Sequence, residues 1–346
     1  MSRVTVAVVA FQSGEFLQPC VDALAAQSFA DFDCVVADNG SSDGSTARLR
    51  LPDARFVLRD MGGNLGFAAA NNRVGEASGA EFLACLNPDA RPDPDWLLRL
   101  VEAADAHPEC ASFGSVQLRL EQPDVLDGLG DCWHVAGIAW RAGEGESASD
   151  LPPDGEIMGP CGAAALYRRE LFLRLGGFDE RFFCYCEDVD LALRLQRAGW
   201  RSWRASASVI HHAGSGISGR YSPFTLYHGH RNRVWCWVKN TPGPLFWALL
   251  PLHLLLNLYV AYALHRQGGG APVRRAFLHA LRGVGPFMRE RRTADRRGFA
   301  AVRRVSALRP GAPWRRLMVP EPPGWTDPRR PSRWPRRTRP HTPEVV

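Results

Sequence analysis

Six places in this 346-residue sequence gather side chains that could do chemistry. Phe11-Gln12, Asp38-Asn39, Asn64-Leu65-Gly66 and Asn87-Pro88-Asp89 follow one another through its first part. Glu187-Asp188-Val189-Asp190 and His211-His212 come later. Each has an ordinary structural reading: Asp-Asn-Gly is a common turn, and Asp89 beside Pro88 could cap one. Acids at a helix start are stabilised by the helix dipole, and a histidine pair can be plain surface polarity. The chemical readings are more specific. Asp89 offers a hard oxygen of the kind that holds Mg2+ or Mn2+ together with a diphosphate. One histidine of the 211–212 pair could complete that site. The aromatic run Phe178 to Tyr185 makes a partly apolar setting for Glu187 and Asp188, in which a carboxylate can serve as a general base.

The elements that must carry these groups are legible from periodicity. Val4–Ala10 is a continuous apolar run of the buried parallel-strand type, and 33–37, 55–58 and 81–86 read as further strands. Helical spacing falls at 15–27, 45–51, 67–78 and 95–106. This alternation predicts an α/β fold with an open, doubly wound, mostly parallel sheet. Ligands sit beyond the carboxyl ends of such strands, where the first four polar clusters fall, and Asp38 there could accept from a pyrimidine ring NH. Farther on, strands are expected at 111–118, 133–141, 159–168 and 201–212, and helices at 187–198 and 226–239. A polar loop is expected at 142–155.

Composition narrows the classes. Nine scattered cysteines without a CxxC pair suggest reduced, mostly buried thiols in a cytosolic protein. The start runs directly into a strand, so no secretory leader is expected. There is no GxGxxG after the first strand and no GxxxxGK[ST], which argues against a Rossmann dehydrogenase and a P-loop nucleotidase. Net charge is +6, concentrated after Arg266. Lys239 is the sole lysine, so the arginines reflect composition bias and nucleic acid is not expected as a partner. Residues 245–264 are mostly apolar and long enough to cross a bilayer. A core helix, a spanning helix and an interfacial helix compete. The internal His253 and Asn257, with the basic, Trp-bearing segment that follows, favour the interfacial one. The expected organisation is a catalytic domain at 1–240, an apolar then basic helical extension at 241–310, and a disordered Pro/Arg-rich tail at 311–346.

In its ordered motifs the chain resembles glycosyltransferase family 2, of the GT-A fold, and within it the rhamnosyltransferase-like branch of bacterial surface polysaccharide synthesis. The stretches that carry the resemblance are VVAFQSGEFLQPCVDALAAQSFADFDCVVADNGSSDGS, NLGFAAANN, LNPDARPDPDWL, GAAALYRRELFLRLGGFDERFFCYCEDVDLALRLQRAGWR, VIHHAGSGISG and the Arg231-Asn232 pair, together spanning about residues 3–240. The resemblance implies that Phe11, Asp38 and Asn71 or Asn72 line the nucleoside, with Asn64 and Gly66 on the nucleotide and sugar side and Asn39 and Asn87 among the donor-binding residues. It implies a Mg2+ or Mn2+ ion on Asp89 and His211, with His212 the alternative, and Asn87 standing where the common motif has an acid. Asp188 would be the base of an inverting displacement, and Glu187 would help orient it or the acceptor. The implied donor is dTDP-rhamnose or a UDP-hexose. The implied acceptor is a lipid-linked saccharide at the cytoplasmic face of the membrane. A nucleotidyltransferase, a non-catalytic sugar-nucleotide-binding protein and an integral membrane protein are the rivals. The first should show a basic, Gly-rich loop where FQSGEF stands.

Overall fold

A computed structural model describes residues 2–214, 217, 219, 222–291 and 306–307. The first half is β1 (Val4–Ala10), α1 (Leu17–Ala25), β2 (Phe32–Asp38), β3 (Phe56–Asp60), α2 (Gly66–Ala77), β4 (Phe82–Leu86), β5 (Ala90–Pro92), α3 (Trp96–Ala106) and β6 (Cys110–Arg119). Then come β7 (Leu126–Gly128), β8 (Asp131–His134), β9 (Ile138–Arg141), β10 (Gly155–Ile157), β11 (Ala164–Arg168) and α4 (Arg169–Arg174). The remainder is α5 (Glu187–Arg197), β12 (Arg201–His212), α6 (Pro223–Asn240), α7 (Gly243–Arg266), α8 (Gly270–Arg282), α9 (Val284–Arg291) and β13 (Ser306–Ala307).

The main sheet has the order β10-β12-β6-β11-β4-β1-β2-β3. Strands β4, β1, β2 and β3 are parallel, as the alternation predicted. β11 enters antiparallel between β4 and β6, and β12 runs parallel to β6. All seven residues of β1 are buried because helices cover both faces. Val4, Val6 and Val8 pack with α1 and α3. Ala7 and Val9, pointing the other way, pack with residues of α2, α4 and α5.

Three expectations need correction. Residues 45–48 form turns, not a helix. There Asp43 accepts from the amide and hydroxyl of Ser45, and Asp38 accepts from Thr46 Oγ1, so side chains compete with the helical ladder. The expected strand at 133–141 is a hairpin of β8 and β9, turning at Gly137 with φ of 89°. Only 164–168 of the expected 159–168 strand joins the sheet.

The extension is helical in α7, α8 and α9, and its residues 306–307 form β13, which pairs with β8. A third apolar cluster joins Val189 and Leu193 of α5 to Trp235 and Trp237 of α6, Phe246 of α7 and Phe287 of α9. Helix α7 has 24 residues and by length and composition could cross a membrane. Its polar residues face the protein: the His253 ring stacks on Trp237 at 3.9 Å, and Asn257 is buried. Trp247, Leu255, Leu258 and Tyr262 face outward, each more than 60 % exposed. The tail at 311–346 lies outside the described residues.

Candidate active site

The sheet pairings bring distant residues to one place. β5, directly after Asp89, pairs antiparallel with the end of β12, setting Ala90 opposite His212. β7 pairs with β6 and delivers Asp127 to the same spot. His212 is buried, with Nε2 3.2 Å from Asp89 Oδ1 and Nδ1 2.8 Å from Asp127 Oδ2. Arg141 in turn pairs with Asp127. Burial by itself would lower the His212 pKa; the carboxylates of Asp127 and Asp89 outweigh it and push it up to about 9. Asn87 Nδ2 lies 3.4 Å from His212 Nε2.

His211, expected beside Asp89, points elsewhere: its Nε2 is 3.1 Å from Asp93 Oδ1, and the ring is half-buried. Neighbouring strand residues face opposite sides of a sheet, so only one histidine of the pair can meet Asp89. That residue is His212.

The nucleotide-side positions divide into ligand-facing and structural ones. Phe11 is 36 % exposed past the end of β1. Asp38, at the end of β2, accepts from the Ser41 amide at 2.9 Å and from Thr46. Asn39 is buried and works as a brace: its Nδ2 donates to Asn64 Oδ1, and its Oδ1 accepts from the Leu65 amide at 2.9 Å. Asn71 is fully buried and donates to the Phe67 carbonyl within α2. Asn72 latches the Phe178 segment, bonding both its amide and its carbonyl. Both asparagines are thus buried and bond the protein's own backbone, while Asn71 Oδ1 has no hydrogen-bond partner. Gly66 has φ of 83°, and a Cβ there would lie 2.5 Å from the Phe183 carbonyl oxygen. That contact, with the Ala68 amide donating to the same carbonyl at 3.1 Å, ties the 64–68 loop to the acidic segment.

Asp188 sits in the first turn of α5, half-buried, its Oδ2 accepting from the Gly162 amide at 2.9 Å. Glu187 is buried, and its Oε2 has no hydrogen-bond partner. Burial first and the charge of Asp188 second push its pKa well above the usual carboxylate range. The turn before them is strained, with Phe183, Tyr185 and Cys186 all left-handed at φ of 67°, 73° and 67°. Asn232, fully buried on α6, holds that turn by donating to the carbonyls of Phe182, Cys184 and Tyr185 at 2.7–2.8 Å.

Sequence reasoning missed Asp127, Asp131 and Cys161. Ligand atoms of Asp131, Cys161 and Asp188 lie within 4.8 Å of one another. Burial pushes the Cys161 thiol up to about 12. It also pushes Asp131 well above the carboxylate range, with Asp188 adding to the rise. The only local hint was the pair of acids in LDGLGD; their placement depends on sheet pairing.

Asp127, Asp131, Cys161, Asn87 and Asp188 line one cavity of about 540 Å³, whose far wall is built by α6 and α7. Such a site has room for a diphosphate-sized ligand, meets the buried Asp89–His212 pair through Asp127, and can remove a proton at Asp188.

Comparison with known proteins bears on the family and the fold. The Glycosyl transferase family 2 model matches residues 5–176. The N-acetylglucosaminyl-diphospho-decaprenol L-rhamnosyltransferase of Mycobacterium tuberculosis is 31% identical over 298 residues, covering 76% of this chain and 94% of that protein. The O-antigen biosynthesis protein RfbC of Myxococcus xanthus is 32% identical over 216 residues, 57% of this chain and 16% of that one. Among solved structures, a mannosyltransferase from Pyrobaculum calidifontis in complex with GDP-Man and Mn2+ aligns with a TM-score of 0.52 at 19% identity, covering 88% of this chain and 86% of that one. The fold is GT-A-like, an α/β architecture with a mostly parallel central sheet and an apolar C-terminal helix.

Proposed function

The chain belongs to glycosyltransferase family 2, and from that premise we propose that it is an inverting, metal-dependent rhamnosyltransferase acting on a lipid-linked saccharide. It is a glycosyltransferase; the donor, the ion and the acceptor are the substance of the proposal. The observation that carries it is a cavity lined both by Asp188 and by Asp127, the residue that holds the ring of His212 beside Asp89.

The donor set suits a hard divalent ion, Mg2+ or Mn2+. Asp89 offers a carboxylate oxygen and His212 an imidazole nitrogen, while Asp127 takes the other ring N–H, an arrangement that fixes tautomer and ring orientation in metal sites. When bound, the ion neutralises charge growing on a departing diphosphate. The rest falls to the protein. Phe11 and Asp38 border the nucleoside, and Asn39 and Asn64 hold the loop facing the diphosphate. Asp188 takes the proton of the acceptor hydroxyl as that oxygen attacks the anomeric carbon. The Gly162 amide keeps one of its oxygens in place, and burial raises the pKa of the neighbouring Asp131 and Glu187. A single displacement with one base inverts the anomeric centre. L-Rhamnose, carried by dTDP, is favoured by the mycobacterial relative's name and the branch resemblance. The outward apolar face of α7 supports peripheral attachment at the cytoplasmic membrane surface.

The test is a donor screen: purified protein, Mn2+ or Mg2+, dTDP- and UDP-sugars, and release of nucleoside diphosphate, beside Asp188→Asn and Asp89→Ala. Turnover of dTDP-rhamnose that both substitutions abolish is expected. Turnover of a UDP-hexose instead overturns the donor, and activity retained by Asp188→Asn overturns the base.

A further inference from the structure

The cavity has a second half that the chemistry above does not use. It lies toward α6 and α7, and Arg233 lines it. Arg233 is only 7% exposed. Its guanidinium donates to Asn257 Oδ1 at 2.5 Å, and its Nε has no hydrogen-bond partner. No carboxylate pairs with it among the described residues. Other cations held in the protein are neutralised: the buried Lys239 lies between Asp179 and Asp190, and the half-buried Arg194 and Arg141 pair with Asp190 and Asp127. A buried guanidinium without a counter-charge carries a desolvation cost that an anionic ligand would offset. Burial lowers its pKa to about 10, so the group is still charged at neutral pH.

The surroundings define what the anion is attached to. His230, one turn earlier on α6, lines the same cavity and has an unpartnered Nδ1. At Gly229 a Cβ would meet nothing within 4 Å, so the wall there is open. The opposite wall is apolar, made by Tyr259, Val260, Ala263 and Leu264 of α7. The same helix presents Leu255, Leu258 and Tyr262 outward, 63–67% exposed. A cationic pocket thus opens beside an apolar helix face that continues to the surface. From this arrangement we infer that Arg233 binds the phosphate or diphosphate headgroup of the lipid-linked acceptor, with the hydrocarbon chain leaving along α7. The inference rests on the transferase reading and names a contact for its acceptor. A planar guanidinium already held at one nitrogen by Asn257 suits bidentate phosphate recognition.

The test uses the full-length protein and needs no turnover. Binding of farnesyl diphosphate, farnesol and dTDP is measured by calorimetry in neutral-detergent buffer for wild type, Arg233→Met and Arg233→Lys. Loss of a charge-assisted bond to a buried phosphate predicts farnesyl diphosphate binding roughly 10- to 100-fold weaker in Arg233→Met. Farnesol and dTDP binding should not change. Arg233→Lys keeps the charge but loses the fork and should weaken binding several-fold, so it carries the test if the methionine variant does not fold. Equal farnesyl diphosphate affinity in wild type and both variants overturns the inference. A parallel loss of farnesol binding would mean a packing role, and a loss of dTDP binding instead would assign Arg233 to the donor; either sinks it. Arg233-dependent binding in a protein that transfers no sugar would overturn the transferase reading and leave the anion site standing.

Discussion

Replacing Asn232 with alanine should both destabilise the protein and disable its base. The Asn232 amide nitrogen has two protons and faces three carbonyl oxygens, those of Phe182, Cys184 and Tyr185. Alanine removes those two donated hydrogen bonds and the one that Asn232 Oδ1 accepts from Arg231 Nε, in a fully buried place. At about 1 kcal/mol each, the expected loss is about 3 kcal/mol. The released turn contains the left-handed Phe183, Tyr185 and Cys186, each held at a cost of about 1–3 kcal/mol, so it has reason to relax. Cys186 is the residue from which α5 starts, and Glu187 and Asp188 follow it directly. A shift of about 1 Å in a catalytic group can cost about 100-fold in rate. Asn232→Ala should therefore lower the urea midpoint by the equivalent of about 3 kcal/mol. It should also cut kcat about 100-fold at a temperature where the variant is fully folded, with donor KM little changed. Asn232→Asp should be no better, since a carboxylate would face three carbonyl oxygens. Wild-type kcat in a measurably destabilised Asn232→Ala would refute the positioning argument, and wild-type stability would refute the hydrogen-bond argument as well.

Two further outcomes follow from the site. Because Asp127 orients the ring of His212, Asp127→Asn should raise the Mn2+ concentration for half-maximal activity roughly 10- to 100-fold. His212→Ala should do at least as much and His211→Ala little, and the reverse order in a Mn2+ titration would return the ligand role to His211. Acid should also loosen the α5–α6 junction. Burial would raise the pKa of Asp179, but hydrogen bonds from Arg181 and then Lys239 outweigh it and hold it at about 2, below its ordinary 3.8. A depressed folded-state pKa means stability that is complete above about pH 4 and lost as pH falls toward 2, about 2 kcal/mol in all. Comparing urea midpoints at pH 5 and pH 2.5, wild type should lose about that much more than Asp179→Asn; parallel profiles would contradict it.

The local elements and the type of chemistry were legible in the sequence. The strand runs are apolar because two helical layers bury them, so β1, β2 and β4 announced themselves along with the polar groups at their ends. Asp38, Asp89 and Asp188 were readable because each sits beside an element whose periodicity is strong. The 45–51 segment misled because the Ser45 and Thr46 hydroxyls donate to the carboxylates of Asp43 and Asp38, which outweighed a weak helical pattern. Tertiary structure alone decided which histidine meets Asp89, since that depends on the parity of β12 against β5. It also decided that Asn72 serves the core, because α2 turns that face onto the Phe178 segment. The acids of 127–131 enter the site only through pairings between β6, β7 and the 159 loop. Arg233 belongs with these: along the chain it is one arginine among many, and only burial without a carboxylate sets it apart. Periodicity is a local property that sequence carries, whereas the partner of a charge is set by which distant segments the sheet brings together.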